Sequence, residues 1–89
     1  MSTIKDIIVN DSVVDVLTAL IPRSSYPRID RLYVDYKFEV VANGELVSTF
    51  DKLFVDGVFA AGDNGRTIKG PNWVEPSFIA TKKYAQKTV

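Results

Sequence analysis

"RLYVDYKFEVVANGELVSTFDKLFVDG", residues 31–57, is the most regular stretch of the sequence and decides the predicted fold. Apolar and polar residues alternate on both sides of Asn43-Gly44, and such alternation is typical of strands with one buried face. An Asn-Gly pair is typical of a two-residue hairpin turn, because both residues tolerate a positive φ angle. The stretch is therefore predicted to form an antiparallel β-hairpin.

The alternation assigns the side chains of the first predicted strand to two faces. The face predicted to lie in the core is apolar throughout and consists of Leu32, Val34, Tyr36, Phe38 and Val40. The face predicted to point outward consists of Tyr33, Asp35, Lys37, Glu39 and Val41. In the return strand the alternation slips by one residue near Asp51-Lys52. A slip of this kind predicts a β-bulge, which restores an inward face.

The segment before the hairpin predicts one amphipathic helix. Ser12 and Asp15 match a helix-capping pattern, and the apolar residues after them recur with helical spacing as far as Pro22. Residues 3–9 are compatible with a helical turn or with a strand, and the helical turn is favoured. Pro27 predicts that the chain between the helix and the hairpin stays non-helical.

The remaining segments complete an α+β prediction. Residues 58–70 predict two short strands around a glycine-rich turn, and residues 77–84 predict a last strand. The predicted architecture is one N-terminal amphipathic helix packed on a four- to five-stranded antiparallel sheet. That sheet is strongly twisted and either open or partly closed into a small barrel. Residues 1–89 are expected to form a single domain, with a frayed tail at residues 84–89.

The composition argues against an enzyme. The chain has no histidine and no cysteine, which excludes a Ser-His-Asp triad, a cysteine nucleophile and the preferred transition-metal ligands. Asp35 and Glu39 are the best remaining carboxylate pair, but charges that alternate on an outer strand face are typical of solvation and cross-strand pairing. "GDNGRTIKG", residues 62–70, lacks the ending of a phosphate-binding loop and fits a turn. We predict a non-catalytic protein with no cofactor and no metal site.

The hydropathy pattern predicts a cytoplasmic protein, of either the producing or an infected cell. The longest apolar runs have four or five residues, far below the roughly 20 that span a bilayer. The first residues do not resemble a signal peptide. No membrane partner is expected.

Charge and aromatic content predict a protein-binding module of an accessory, inhibitory or structural-assembly type. Eleven basic and eleven acidic residues cancel overall, yet residues 35–63 carry six acids against two lysines, and residues 64–89 carry five bases against one acid. Such separation favours an oriented contact with another protein, or between copies in a homo-oligomer. The predicted contact residues on a sheet face or edge are Tyr33, Asp35, Glu39, Trp73 and Tyr84.

The alternative prediction is a small barrel that binds single-stranded nucleic acid. Aromatic rings next to basic residues stack bases and hold the phosphate backbone. The residues that would do so are Arg28, Arg31, Arg66, Lys69, Lys82 and Lys83. Nucleic acid ranks second because the net charge of the chain is zero, whereas backbone binding depends on neutralising many phosphates.

Overall fold

A computed structural model describes residues 3–80 as a helix-rich domain with one β-hairpin. The helices are α1 (Thr3–Asn10), α2 (Val13–Leu20), α3 (Tyr26–Tyr36), α4 (Phe38–Ala42), α5 (Glu45–Val55) and α6 (Ser77–Ala80). The strands are β1 (Phe59–Ala61) and β2 (Thr67–Lys69), and 3-10 turns lie at Ile21–Arg23 and Asp63–Gly65. The predicted α+β fold is therefore wrong: within residues 3–80 the sheet has two strands and does not close.

Residues 26–36 form a helix because Ser25 and Pro27 start one. The Ser25 hydroxyl accepts a hydrogen bond from the Arg28 N–H at 3.4 Å, which caps α3. Pro27 lies in the first helical turn, where its missing N–H leaves no bond unmade. Ile29 and Tyr33 then face the core four residues apart. The prediction that Pro27 keeps this segment out of helix is thus wrong.

The predicted 31–57 hairpin is helical as well, because this stretch contains the end of α3 and the whole of α4 and α5. Asn43 and Gly44 do form a turn, but it joins α4 to α5, with Gly44 at a φ of +80° and the Asn43 Oδ1 accepting from the Glu45 N–H at 2.9 Å. The slip in alternation at Asp51-Lys52 is no bulge, since both residues are exposed within α5.

The faces assigned from strand alternation change accordingly. Of the five residues predicted to be core, Val40 is buried and Leu32 half-buried, whereas Val34, Tyr36 and Phe38 are 40–56% exposed. Residues two positions apart lie on the same face of a strand, but in a helix, which has 3.6 residues per turn, they point in different directions.

Other sequence predictions are confirmed. Residues 3–9 lie in α1, and α2 begins at the predicted cap, where the Ser12 hydroxyl accepts from the Asp15 N–H at 3.2 Å. The hairpin within residues 58–70 is antiparallel and pairs Ala60 with Ile68. The predicted last strand is wrong for Ser77–Ala80, which are helical. Residues 81–84 and the predicted frayed tail lie outside the described residues.

Helix α2 lies at the centre of the core. Its buried face packs against side chains from the other helices, and the largest wholly buried residues are Ile8, Val16, Leu17, Ile21, Tyr33 and Leu46. Among residues 3–80, no helix combines the length and the apolar character needed to cross a membrane.

A tryptophan completes the C-terminal turn of α2. In a helix the Thr18 carbonyl would accept from the N–H four residues later, but that residue is Pro22, which has none. The Trp73 indole Nε1–H donates to the Thr18 carbonyl instead, at 2.8 Å. This bond fixes residues 70–76 against α2.

The base of the β-hairpin is closed by backbone bonds. Gly57, at a φ of +80°, ends α5, and the Val58 N–H donates to the Leu53 carbonyl at 2.9 Å. The Gly70 N–H donates to Val58, and the Asn72 N–H donates to Gly57, at 2.7 and 2.9 Å. Any Cβ on Gly70 would lie 2.3 Å from the Gly57 carbonyl oxygen, so only glycine fits there.

Candidate functional site

A groove of about 490 Å3 opens between α1, the end of α2 and α3. Its lining residues are Ile4, Leu20, Arg23, Ser24, Arg28, Ile29, Leu32 and Tyr36. Five of these eight side chains are largely hydrocarbon or aromatic, and three are polar. The groove is thus amphipathic, with an apolar floor and a cationic end.

The helical spacing of α3 builds one wall of the groove. Arg28, Leu32 and Tyr36 follow each other at intervals of four residues, so their side chains lie in one row along the helix. Ile4 of α1 stands opposite, 37% exposed, and Leu20 closes the floor. Tyr36 remains 40% exposed, so the groove offers apolar surface that the fold itself does not cover.

The charged groups of the groove are cationic. Arg23 and Arg28 are both exposed and lie where the 3-10 turn meets α3. The Lys5 ammonium lies 5.8 Å from the centre of the Tyr36 ring, which is within range of a cation–π contact. Within residues 3–80, no aspartate or glutamate lines the groove.

The cationic surface continues from the groove onto the β-hairpin. Arg23 also lines a depression of about 60 Å3, together with Lys69, Trp73 and Glu75. Arg66, at the other end of β2, lines a third depression beside Ser24 and Ser25. Strand β2 packs on the Ile21–Arg23 turn, so the basic side chains of Arg66 and Lys69 lie around the same turn as Arg23.

The acidic groups lie on another side of α3. Burial raises the pKa of the Tyr26 hydroxyl above its ordinary value, and the carboxylates of Asp30 and Asp51 raise it further. These two carboxylates do not line the groove; Tyr26, on which they act, packs against Phe50 of α5 and also lines the depression that contains Arg66.

Tyr33 does not occupy the outer strand face predicted for it. Its side chain is wholly buried, and its hydroxyl has no hydrogen-bond partner among the described residues. Burial raises the pKa of this hydroxyl, and the negative charges of Glu45 and Asp11 add to the rise. Tyr33 is a core residue and is not accessible to a partner in this conformation.

The other predicted contact residues are scattered. Asp35 and Glu39 are exposed on α3 and α4, outside the groove. Trp73 is half-buried, with its N–H bound to Thr18 and the Lys69 ammonium 4.1 Å from its ring centre. Tyr84 lies outside the described residues. A contact role for Asp35, Glu39, Trp73 and Tyr84 stays a prediction.

The structure brings together part of the predicted nucleic-acid set. Arg28, Arg66 and Lys69 are exposed round the 3-10 turn, and Arg31 is exposed on α3 outside the groove. Lys82 and Lys83 lie outside the described residues. The small barrel that was to carry these residues does not form in the described part of the chain. That part also contains no group of three or more acidic side chains placed to hold a metal ion.

The apolar lining of the groove was missed by the sequence prediction. Leu32 and Tyr36 are predicted as core residues of a strand, and no site is predicted at Ile4 or Leu20. The sequence does contain one feature that could have located this lining. Residues 28, 32 and 36 follow a serine cap at intervals of four, and this spacing predicts a helix face that is basic at one end and aromatic at the other.

Comparisons with protein-family models, with curated proteins and with solved structures gave no match for this chain.

Proposed function

We propose that this protein is a non-catalytic binding module that takes up a segment of another protein in the groove between α1 and α3. The observation that carries the proposal is an apolar floor that ends at two exposed arginines. Ile4, Leu32 and Tyr36 supply apolar area for a partner's side chain, and Arg23 and Arg28 supply donors that orient it.

The chemistry of the groove favours binding over catalysis. Arginine stays protonated at any physiological pH, so Arg23 and Arg28 cannot act as general bases. Ser24 is the hydroxyl next to them, and among the described residues no imidazole or carboxylate lines the groove to activate it. These groups are suited to hydrogen bonding and charge pairing.

A peptide-display selection with two matched variants tests the proposal. Leu32→Glu puts a charge on the groove wall, and Val34→Glu puts the same charge on an exposed position of α3 outside the groove. We expect random peptides to be enriched on the wild type and on Val34→Glu, and to be lost on Leu32→Glu. Far-UV circular dichroism verifies that both variants keep their helices.

Peptides that bind equally well to both variants would locate binding elsewhere and overturn the proposal. A selection on the folded wild type that enriches no peptide at all would overturn it too. The same two variants distinguish a peptide in the groove from one bound elsewhere on α3, because Leu32 lines the groove and Val34 does not.

A further inference from the structure

We infer that the partner segment is acidic as well as apolar, and that its carboxylates pair with a cationic arc formed by Arg23, Arg28, Arg66 and Lys69. This inference rests on the proposed function, because it specifies the partner of the same groove. The arc surrounds the turn between α2 and α3 and extends from Arg28 in the groove to Lys69 on the β-hairpin.

The positive charges of Arg23 and Arg28 are not neutralised by carboxylates of the described residues. The ion pair between Lys52 of α5 and Asp56, the C-terminal cap of that helix, lies outside the groove. Neither Arg23 nor Arg28 comes within ion-pair distance of a described carboxylate. Guanidinium groups that stay unpaired beside apolar surface are ready to form forked hydrogen bonds with a carboxylate.

Arg23 belongs to two depressions at once. It lines the groove together with Arg28, and it lines the small depression together with Lys69. A chain that leaves the groove past Arg23 therefore meets Lys69 next. This continuity predicts a segment with an apolar residue in the groove and carboxylates on the residues that follow.

The surface favours a polypeptide over a nucleic acid. Stacking of successive bases needs several open aromatic faces, but Lys69 covers the Trp73 ring at 4.1 Å and Tyr33 is wholly buried, which leaves Tyr36 as the exposed ring of the groove. The apolar floor also matches an aliphatic side chain, which nucleic acids lack.

Two synthetic peptides test the charge requirement. One combines leucines with glutamates, and the other carries glutamine in place of every glutamate. We expect the glutamate peptide to bind more tightly, with a Kd that rises with salt. Arg28→Glu should weaken its binding about tenfold and Arg23→Glu/Arg28→Glu about 100-fold, which for two desolvated charge pairs is a typical range.

Arg31→Glu is the matched control, because Arg31 is exposed on the same helix but does not line the groove. It should change the Kd less than about threefold, by the small effect of a rim charge. A lysine version of the peptide should bind the doubly reversed variant better than it binds the wild type. That exchange of preference shows that the variant is folded and that the charges act directly.

Three results would overturn the inference. Equal affinity for the glutamate and glutamine peptides would do so, and so would an unchanged Kd after reversal of both arginines. Tighter binding of a single-stranded oligonucleotide at the same salt concentration would assign the arc to nucleic acid instead. Groove-dependent peptides without enriched acidic residues would overturn this inference alone and leave the proposed function intact, whereas a lack of groove-dependent peptides would overturn both.

Discussion

The bond from Trp73 to Thr18 gives the most detailed stability prediction. Trp73→Phe removes the indole N–H and leaves the Thr18 carbonyl without its donor, since Pro22 has no N–H to offer. An orphaned buried carbonyl costs about 1–3 kcal/mol. The smaller ring adds roughly 1 kcal/mol from lost apolar burial. We expect the free energy of unfolding to fall by about 2–4 kcal/mol in total.

A second substitution separates the hydrogen bond from the packing. Pro22→Ala restores an N–H four residues after Thr18, at the position from which a helix would donate to that carbonyl. The cost of Trp73→Phe should therefore be about 1 kcal/mol smaller in the Pro22→Ala background. Pro22→Ala alone should destabilise the protein by about 0.4–1 kcal/mol, because alanine gives the unfolded chain more freedom.

Urea unfolding followed by far-UV circular dichroism measures all four proteins of this cycle, and it does not depend on the tryptophan signal. A phenylalanine also keeps an aromatic face for Lys69, so the cation–π contact is weakened less than the hydrogen bond. The reasoning is refuted if Trp73→Phe costs the same in both backgrounds to within about 0.3–0.5 kcal/mol, the usual limit of additivity.

Three further predictions concern glycine and tyrosine. Gly70→Ala should lower the free energy of unfolding by more than about 2 kcal/mol, because the new Cβ would lie 2.3 Å from the Gly57 carbonyl oxygen. Gly44→Ala should lower it by about 1–2 kcal/mol, because Gly44 has a positive φ but free space around it. Thermal unfolding compares the two variants. Tyr33→Phe should be neutral or stabilising by up to about 1 kcal/mol in urea unfolding, because it removes a buried hydroxyl that has no partner among the described residues. Because the pKa of Tyr33 is raised in the folded protein, the unfolded chain loses this hydroxyl proton at a lower pH than the folded chain does. The free energy of unfolding should therefore fall as the pH rises above about 10, and it should fall less steeply in Tyr33→Phe. A series of unfolding curves at increasing pH measures this slope.

The local signals in the sequence predicted some elements well. Ser12 and the apolar stripe after it gave α2, because a cap and a 3.6-residue period agree over the whole segment. The glycines around residues 62–65 gave the β-hairpin, because Gly65 adopts a positive φ there. Where local chemistry and periodicity point to one structure, the prediction and the structure coincide.

The prediction for residues 31–57 was wrong because short alternating runs fit both the two-residue period of a strand and the 3.6-residue period of a helix. Leu46, Phe50 and Leu53 are spaced for a helix, and the slip at Asp51-Lys52 marks the place where a period of two stops fitting. β-Branched and aromatic residues favoured a strand, but packing against α2 overrides that propensity. The groove could not be predicted, since it depends on how α1 and α3 meet in space.

The closed base of the β-hairpin allows the length of the hairpin to change during evolution. Bonds among residues 56–58 and 70–72 hold both ends of the hairpin, so changes of length at its exposed tip, residues 63–65, leave that base in place. Lengthening a loop whose ends are already fixed costs little free energy. Insertions at the tip would move Arg66 nearer to or farther from the groove, so the surface proposed to bind a partner could change without any change to the core.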